Sequence, residues 1–147
     1  MPRTEIGQHE ISGLSGAEHD KAAARAAIDA ETSAAILEGF DYEIDPGTGT
    51  PETLHFSYDA FDQQNFADTA NVCIMKQPGM PGLPDSVMWN AYTVPDNELA
   101  RLTFDAPGFL ALYAGGAMRH KNGTMQRGGE RKAVVEAATT PEEVEAA

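Results

Sequence analysis

Histidine, cysteine, serine and clustered carboxylates are the side chains through which this chain could move protons, attack a carbonyl carbon or hold a metal. The four histidines are His9, His19, His55 and His120. His9 and His19 lie ten residues apart in a polar N-terminal stretch. His55 and His120 fall in separate predicted elements with no carboxylate at ligand-like spacing, so no metal set is expected. His55 alternates with Leu54 and Phe56 and is expected to point to solvent, whereas His120, between Arg119 and Lys121, is expected to decorate the end of a helix, where a cation suits the dipole. Cys73 is the single cysteine. It sits in the apolar helical end "NVCIM", which predicts burial rather than the polar, base-bearing setting that a nucleophilic thiolate needs. "GLSGAE" has the outline of a nucleophile elbow, yet no strand precedes it, and Ser15 is better explained as a helix cap.

Asp41, Glu43 and Asp45 alternate along "DYEID" and could form a calcium or carboxylate-pair site. Alternation of this kind is more often the solvated face of a half-buried strand, and that reading is preferred. "PGTGT" lacks the lysine of a phosphate-binding loop, and no glycine fingerprint joins a strand to a helix. No catalytic residue, no metal and no cofactor is therefore expected. Trp89 with Tyr92 could mark a surface on which sugar rings or a receptor stack. The preferred alternative is a core tryptophan that fills the space between a small sheet and a helix, and the exposure of the indole separates the two.

The elements that position these side chains follow from periodicity. Residues 1–15 mix glycine, charge and isolated isoleucines, Ile6 and Ile11 among them, and are expected to form an extended arm that orders on a neighbour and is protease-sensitive without one. Ser15 and Glu18 form a capping-box pattern that starts an alanine-rich helix, with Ile28, Ala35, Ile36 and Leu37 as its larger contacts and Gly39 as its stop. "FDYEI" and "TLHFSY" place Phe40, Tyr42 and Ile44 against Leu54, Phe56 and Tyr58 in a first hairpin. Asp59 caps a second helix that directs Phe61, Phe66, Thr69 and Cys73 to one side. "VMWNAYT" and "LARLTF" make a second hairpin around "VPDNE", and Asp105 with Pro107 opens a third helix whose Phe109, Leu112, Tyr113 and Gly116 face one way. The glycines of "HKNGTMQRGGERK" predict a break in that helix, and Thr140, Pro141 and Glu143 predict a short final one. The fold class is α+β: an arm over residues 1–15, an N-terminal helix over 16–39 and a hairpin–helix domain over 40–147.

The totals bound what such a fold can do. At 147 residues the chain has the size of one domain, which buries roughly two thirds of its unfolded surface. Its hydrophobic share of 41% is rich in alanine, so one modest core is expected, leaning on partners. A formal net charge of −13 repels phosphate backbones and anionic lipid, so neither nucleic acid nor membrane is an expected partner. No apolar run reaches the roughly 20 residues of a membrane span, and "MPRTEIGQHEISGLSG" lacks the apolar core of a signal peptide, so the chain is expected to be made as a soluble protein.

In order and wording, the segments "ILEGFDYEI", "LHFSYDAFDQQNFADTANV", "VMWNAYTVPDNELARLTFDAPGFLALYAGGAMRH" and "KAVVEAATTPEEVEAA" resemble a family of small domains of unknown function found in tailed-phage and prophage tail-fibre and tail-associated proteins. The resemblance rests on Gly39, Phe40, Gln64, Asn65, Trp89, Leu102, Thr103, Phe109, Leu110, Thr139, Thr140 and Glu143, and covers roughly residues 33 to 145. Two departures stand out: "NGTMQRGGERK" interrupts a stretch that is usually more helical, and "MKQPGMPGLPDS" is rich in proline. The resemblance implies a non-enzymatic virion component at the tail tip or fibre base, with other virion proteins and copies of itself as partners. A head decoration protein and a receptor- or carbohydrate-binding module are the alternatives. It makes Gln64 and Asn65 candidates for satisfying buried backbone groups or packing at a subunit boundary; with Ile6, Ile11, Trp89 and Tyr92 they are the expected interaction residues.

Overall fold

A computed structural model describes residues 16–147 of the chain, and the arm with Ile6 and Ile11 lies outside the described residues. The element order is helix α1 (Gly16–Leu37), strands β1 (Phe40–Ile44) and β2 (Glu52–Phe56), helix α2 (Ala60–Lys76), strands β3 (Val87–Thr93) and β4 (Leu99–Phe104), helix α3 (Ala106–Leu112), a π-helical segment (Tyr113–Met118), helix α4 (Arg119–Ala137) and helix α5 (Pro141–Ala146). The architecture is α+β, as the alternation of patterns predicts. The chain divides into two compact units, a central one over residues 35–123 and a terminal one formed by the described residues up to Ala34 together with Thr124–Ala147.

The central unit holds a four-stranded antiparallel sheet in the order β1-β2-β3-β4. The first hairpin runs in register from Phe40↔Phe56 to Ile44↔Glu52. The second runs from Val87↔Phe104 to Tyr92↔Leu99. Between them the ladder has only the pairs Leu54↔Thr93 and His55↔Tyr92. Because side chains alternate across a strand, one face gathers Phe40, Leu54, Phe56, Ala91, Leu102 and Phe104, all buried. Phe66, Ala70 and Cys73 of α2 and Phe109 and Leu112 of α3 join the same core. Each of the fully buried large side chains contributes on the order of 1.5–3 kcal/mol. Helices α2 and α3 start where the sequence places them, while the expected Ser15 cap of α1 lies outside the described residues. Asp59 accepts from the Asp62 amide in a reciprocal capping box, and the Asp105 side chain accepts from the Gly108 amide at 2.8 Å. Gly39 ends α1 at φ +87°, and a side chain there would collide with the Phe56 carbonyl.

Two expectations about helix faces need correction. Phe61 is 74% exposed, and the buried stripe of α2 is Phe66, Ala70 and Cys73. Phe61 stands in the first turn, just inside the Asp59 cap, and the helix turns it off the stripe. Of the contacts expected from α1, Ile28 and Ile36 are buried but Leu37 is 48% exposed.

In the terminal unit, α1 and α4 meet around Ile28 and Val135, joined by Ala138 and Val144. The expected break in "HKNGTMQRGGERK" does not occur, since α4 runs without interruption from Arg119 to Ala137. Glycine costs up to about 1 kcal/mol inside a helix, and the contacts of α4 offset that cost. At Gly128 a Cβ would overlap the Thr32 hydroxyl, so glycine is what permits the close approach. Arg131 reaches Glu31 at 2.8 Å and Lys132 reaches Asp29 at 2.8 Å. The short helix α5 is capped by the Thr140 side chain, which accepts from the Glu143 amide, with proline in its first turn.

Candidate functional site

Three of the four described residues expected to make contacts come together. Asn65, Trp89 and Tyr92 line one shallow cleft of about 280 Å³ with Ser57, Asp62 and Arg101 among its other walls. The cleft opens where β2 and β3 part company, beyond their two paired positions. There β2 turns into the Asp59 cap, and the first turns of α2 set Asp62 and Asn65 beside β3. Its floor is polar: Arg101 donates from Nη1 to Asn90 Oδ1 at 3.1 Å.

Trp89 is half-buried, and its indole is packed from within. Its ring centroid is 4.6 Å from that of Phe66 and 4.9 Å from that of Phe109. Such tilted aromatic pairs are worth about 0.5–1.5 kcal/mol beyond the area they bury. Tyr92 points to the opposite face of the sheet, in a cross-strand row with His55 and Leu99. Among the described residues no helix covers that face, where Leu99 is 60% and Met88 47% exposed.

Gln64 is not part of the cleft. It is exposed, and its Nε2 donates to Asp68 Oδ1 at 2.9 Å. The role expected of Gln64 belongs to its neighbour: Gln63 donates from Nε2 to the Tyr58 carbonyl at 3.2 Å and accepts from Lys121 Nζ at 2.9 Å. The signal was available, since Gln63 shares a helix face with Phe66 and Ala70 at three- and seven-residue spacing.

Cys73 is 3% exposed, and burial, with the Asp105 charge behind it, pushes its thiol pKa up, away from thiolate reactivity. Asp41, Glu43 and Asp45 are all exposed, as the solvated-face reading has it. The Asp45 carboxylate folds into its own loop: Oδ1 accepts from the amides of Gly47 at 2.8 Å, Thr48 at 2.9 Å and Gly49 at 3.0 Å. The bond from Gly47 leads in holding its pKa below the ordinary value. Among the described residues no three His, Cys, Asp or Glu side chains are arranged to hold a metal.

His55 lies on the sheet face that no described helix covers, as its alternation with Leu54 and Phe56 predicts, whereas His120 departs from expectation. His55 is half-buried, and its Nδ1 lies 2.8 Å from Asp41 Oδ1, which fixes the ring with the proton on Nδ1. His120 does not stand at a helix C-terminus, where a cation would suit the dipole. It stands in the first turn of α4, its Nε2 donates to the Ile36 carbonyl at 3.1 Å, and its ring packs 5.8 Å from Phe40. The π-helical segment before α4 brings it there, and sequence periodicity gives no warning of such a shift in phase.

The family model described as domain of unknown function DUF4376 matches residues 19–147. The chain belongs to this family. No curated protein and no solved structure matches it. The DUF4376 match reaches back to His19, so it takes in nearly all of α1, beyond the span over which the segment wording resembles a small domain of unknown function. Among the described residues of this DUF4376 domain no helix is long and apolar enough to cross a membrane.

Proposed function

We propose that this DUF4376 domain is a non-enzymatic structural component of a tailed-phage particle, seated at the tail tip or fibre base, where it joins subunits to one another. The resemblance of its segments to tail-associated domains supports this reading. The observation that carries it is the face of the sheet that no described helix covers: α2 and α3 pack on one side, and the other presents Tyr92, Leu99 and Met88 beside the Asn65–Trp89 cleft. A surface of mixed aromatic, aliphatic and single charged side chains has the composition of a protein contact. A carbohydrate module would offer an open indole face, whereas the Trp89 ring is engaged by Phe66 and Phe109. The acidic balance fits assembly among proteins and not around nucleic acid.

The test is location. An antibody to the purified chain is applied to banded particles from the source of the sequence, with gold labelling and quantitative mass spectrometry. Label confined to tails, in a fixed number of copies per particle, is the expected result. A chain found only in the particle-free lysate would overturn the proposal, and label on the head would move the chain to the decoration class.

A further inference from the structure

One cation stands apart in this acidic chain. Ten Lys and Arg face 23 Asp and Glu, so a positive side chain is rarely short of a partner. Nine of the ten fall among the described residues, all but Arg3, and eight of those nine make a hydrogen bond or ion pair: Lys21, Arg25, Lys76, Arg101, Lys121, Arg127, Arg131 and Lys132. Arg119 makes none among the described residues. It lines a concavity of about 550 Å³ in the central unit, together with Gly39, Asp41, His55, Gly115 and Gly116.

Asp41 holds His55 by Nδ1, which leaves Nε2 for a second partner. Gly39 has no side chain to cover it, since a Cβ there would come within 2.8 Å of Nε2. Gly115 and Gly116, in the π-helical segment, also line the cavity, and π-helical turns recur at functional sites. Among the other charges here, Asp41 is engaged with His55, and Glu38 lies on the rim.

We infer that this cavity binds an oxyanion, the carboxylate or phosphate group of a small molecule, between the Arg119 guanidinium and His55 Nε2. The planar guanidinium matches two oxygens of such a group. Nε2 donates to it from the imidazolium form, or accepts from the hydroxyl of a hydrogen phosphate in the neutral form. The site is independent of the attachment role proposed above, and its failure would leave that role untouched. With Glu38 on the rim and a net charge of −13 on the chain, the affinity is modest, with a Kd on the order of 1 mM.

The full chain is titrated with sodium phosphate and with sodium acetate, against sodium chloride at matched ionic strength, while NMR follows the Gly115 and Gly116 amides, the Arg119 Nε–H and the His55 ring. Saturable shifts at these groups are expected with at least one of the two anions and none with chloride. Saturation by phosphate alone assigns a phosphate ligand, and by acetate alone a carboxylate. Arg119→Gln, at an exposed position, weakens binding about tenfold or more, His55→Gln weakens it by a smaller factor, and Arg127→Gln outside the cavity leaves it unchanged. Shifts that grow without saturating, or a saturation that survives Arg119→Gln intact, would overturn the site.

Discussion

The rings of Trp89 and Phe66 meet at 4.6 Å, centroid to centroid, inclined by 49°. Phe66 also lies 5.6 Å from Phe109 and 5.5 Å from Tyr58, so one phenyl ring ties α2 to the sheet and to α3. Phe66→Ala removes that ring from a fully buried position and is expected to cost about 3–5 kcal/mol; Trp89→Phe keeps an apolar ring at a half-buried position and is expected to cost about 1 kcal/mol. Urea denaturation followed by far-UV circular dichroism measures both. Equal losses from the two would contradict the central place given to Phe66.

The uninterrupted course of α4 sets two adjacent glycines against each other. Gly128→Ala drives a methyl group into the Thr32 hydroxyl, while a Cβ at Gly129 meets nothing within 4 Å. The first substitution is expected to destabilise by about 1–3 kcal/mol. The second is expected to stabilise by up to about 1 kcal/mol through helix propensity. Thermal melts of the two variants distinguish this helix from a broken one, in which both changes would be nearly neutral.

Gln63 and Gln64 differ by one position and by their surroundings. Gln63→Ala leaves the Tyr58 carbonyl and Lys121 without the partners they have now, at a cost of about 1–2 kcal/mol. Gln64→Ala loses one exposed bond to Asp68 and stays within about 0.5 kcal/mol of the parent. Chemical denaturation of the pair checks the assignment, and a larger effect at Gln64 would reverse it.

At low pH the start of α5 is expected to loosen before the sheet does. Glu143 Oε1 accepts from the Thr139 amide at 2.6 Å and from its hydroxyl at 2.9 Å, the amide bond leading in holding its carboxyl below the ordinary 4.5. A depressed folded-state pKa means stability present above 4.5 and lost as pH falls through the lower folded value. Amide exchange at Thr139 over an acid titration reads this out. In Glu143→Gln the acid dependence at that amide should disappear.

At the alkaline end, Tyr58 limits the range. Burial, with a smaller contribution from Tyr113, pushes its phenol up from 10.0 to about 12. A raised folded-state value means stability intact below 10.0 and lost as pH rises through about 12. Absorbance at the phenolate band should therefore show one late-ionising tyrosine that coincides with loss of structure, and Tyr58→Phe should remove the late step.

Much of this fold is legible in local patterns, because caps, alternation and turn residues act over a few neighbours. Asp59, Asp105 and Thr140 start helices where their side chains can accept an amide, and Phe40, Leu54, Phe56, Leu102 and Phe104 fall on the inner face by strand period alone. What was hidden depends on contacts distant in sequence. The glycines of α4 read as a break until Thr32, from another helix, gives Gly128 its reason. His55 reads as a lone solvent-facing imidazole until strand register places Asp41 opposite it. The π-helical segment that swings His120 against Phe40 has no signature in hydrophobic spacing. Of the expected contact residues, Asn65, Trp89 and Tyr92 share a cleft that no single segment encodes, since α2 and β3 each supply part of it.

The two borders of the sheet are unlike. Asp41 and Glu43 project from outermost β1 as a fence of negative charge, whereas β4 carries Arg101 as its single ionised group. Identical molecules brought β1 to β1 would meet carboxylate with carboxylate, which disfavours pairing through that side. Edge pairing meets less opposition at the β4 border, which gives the sheet a polarity.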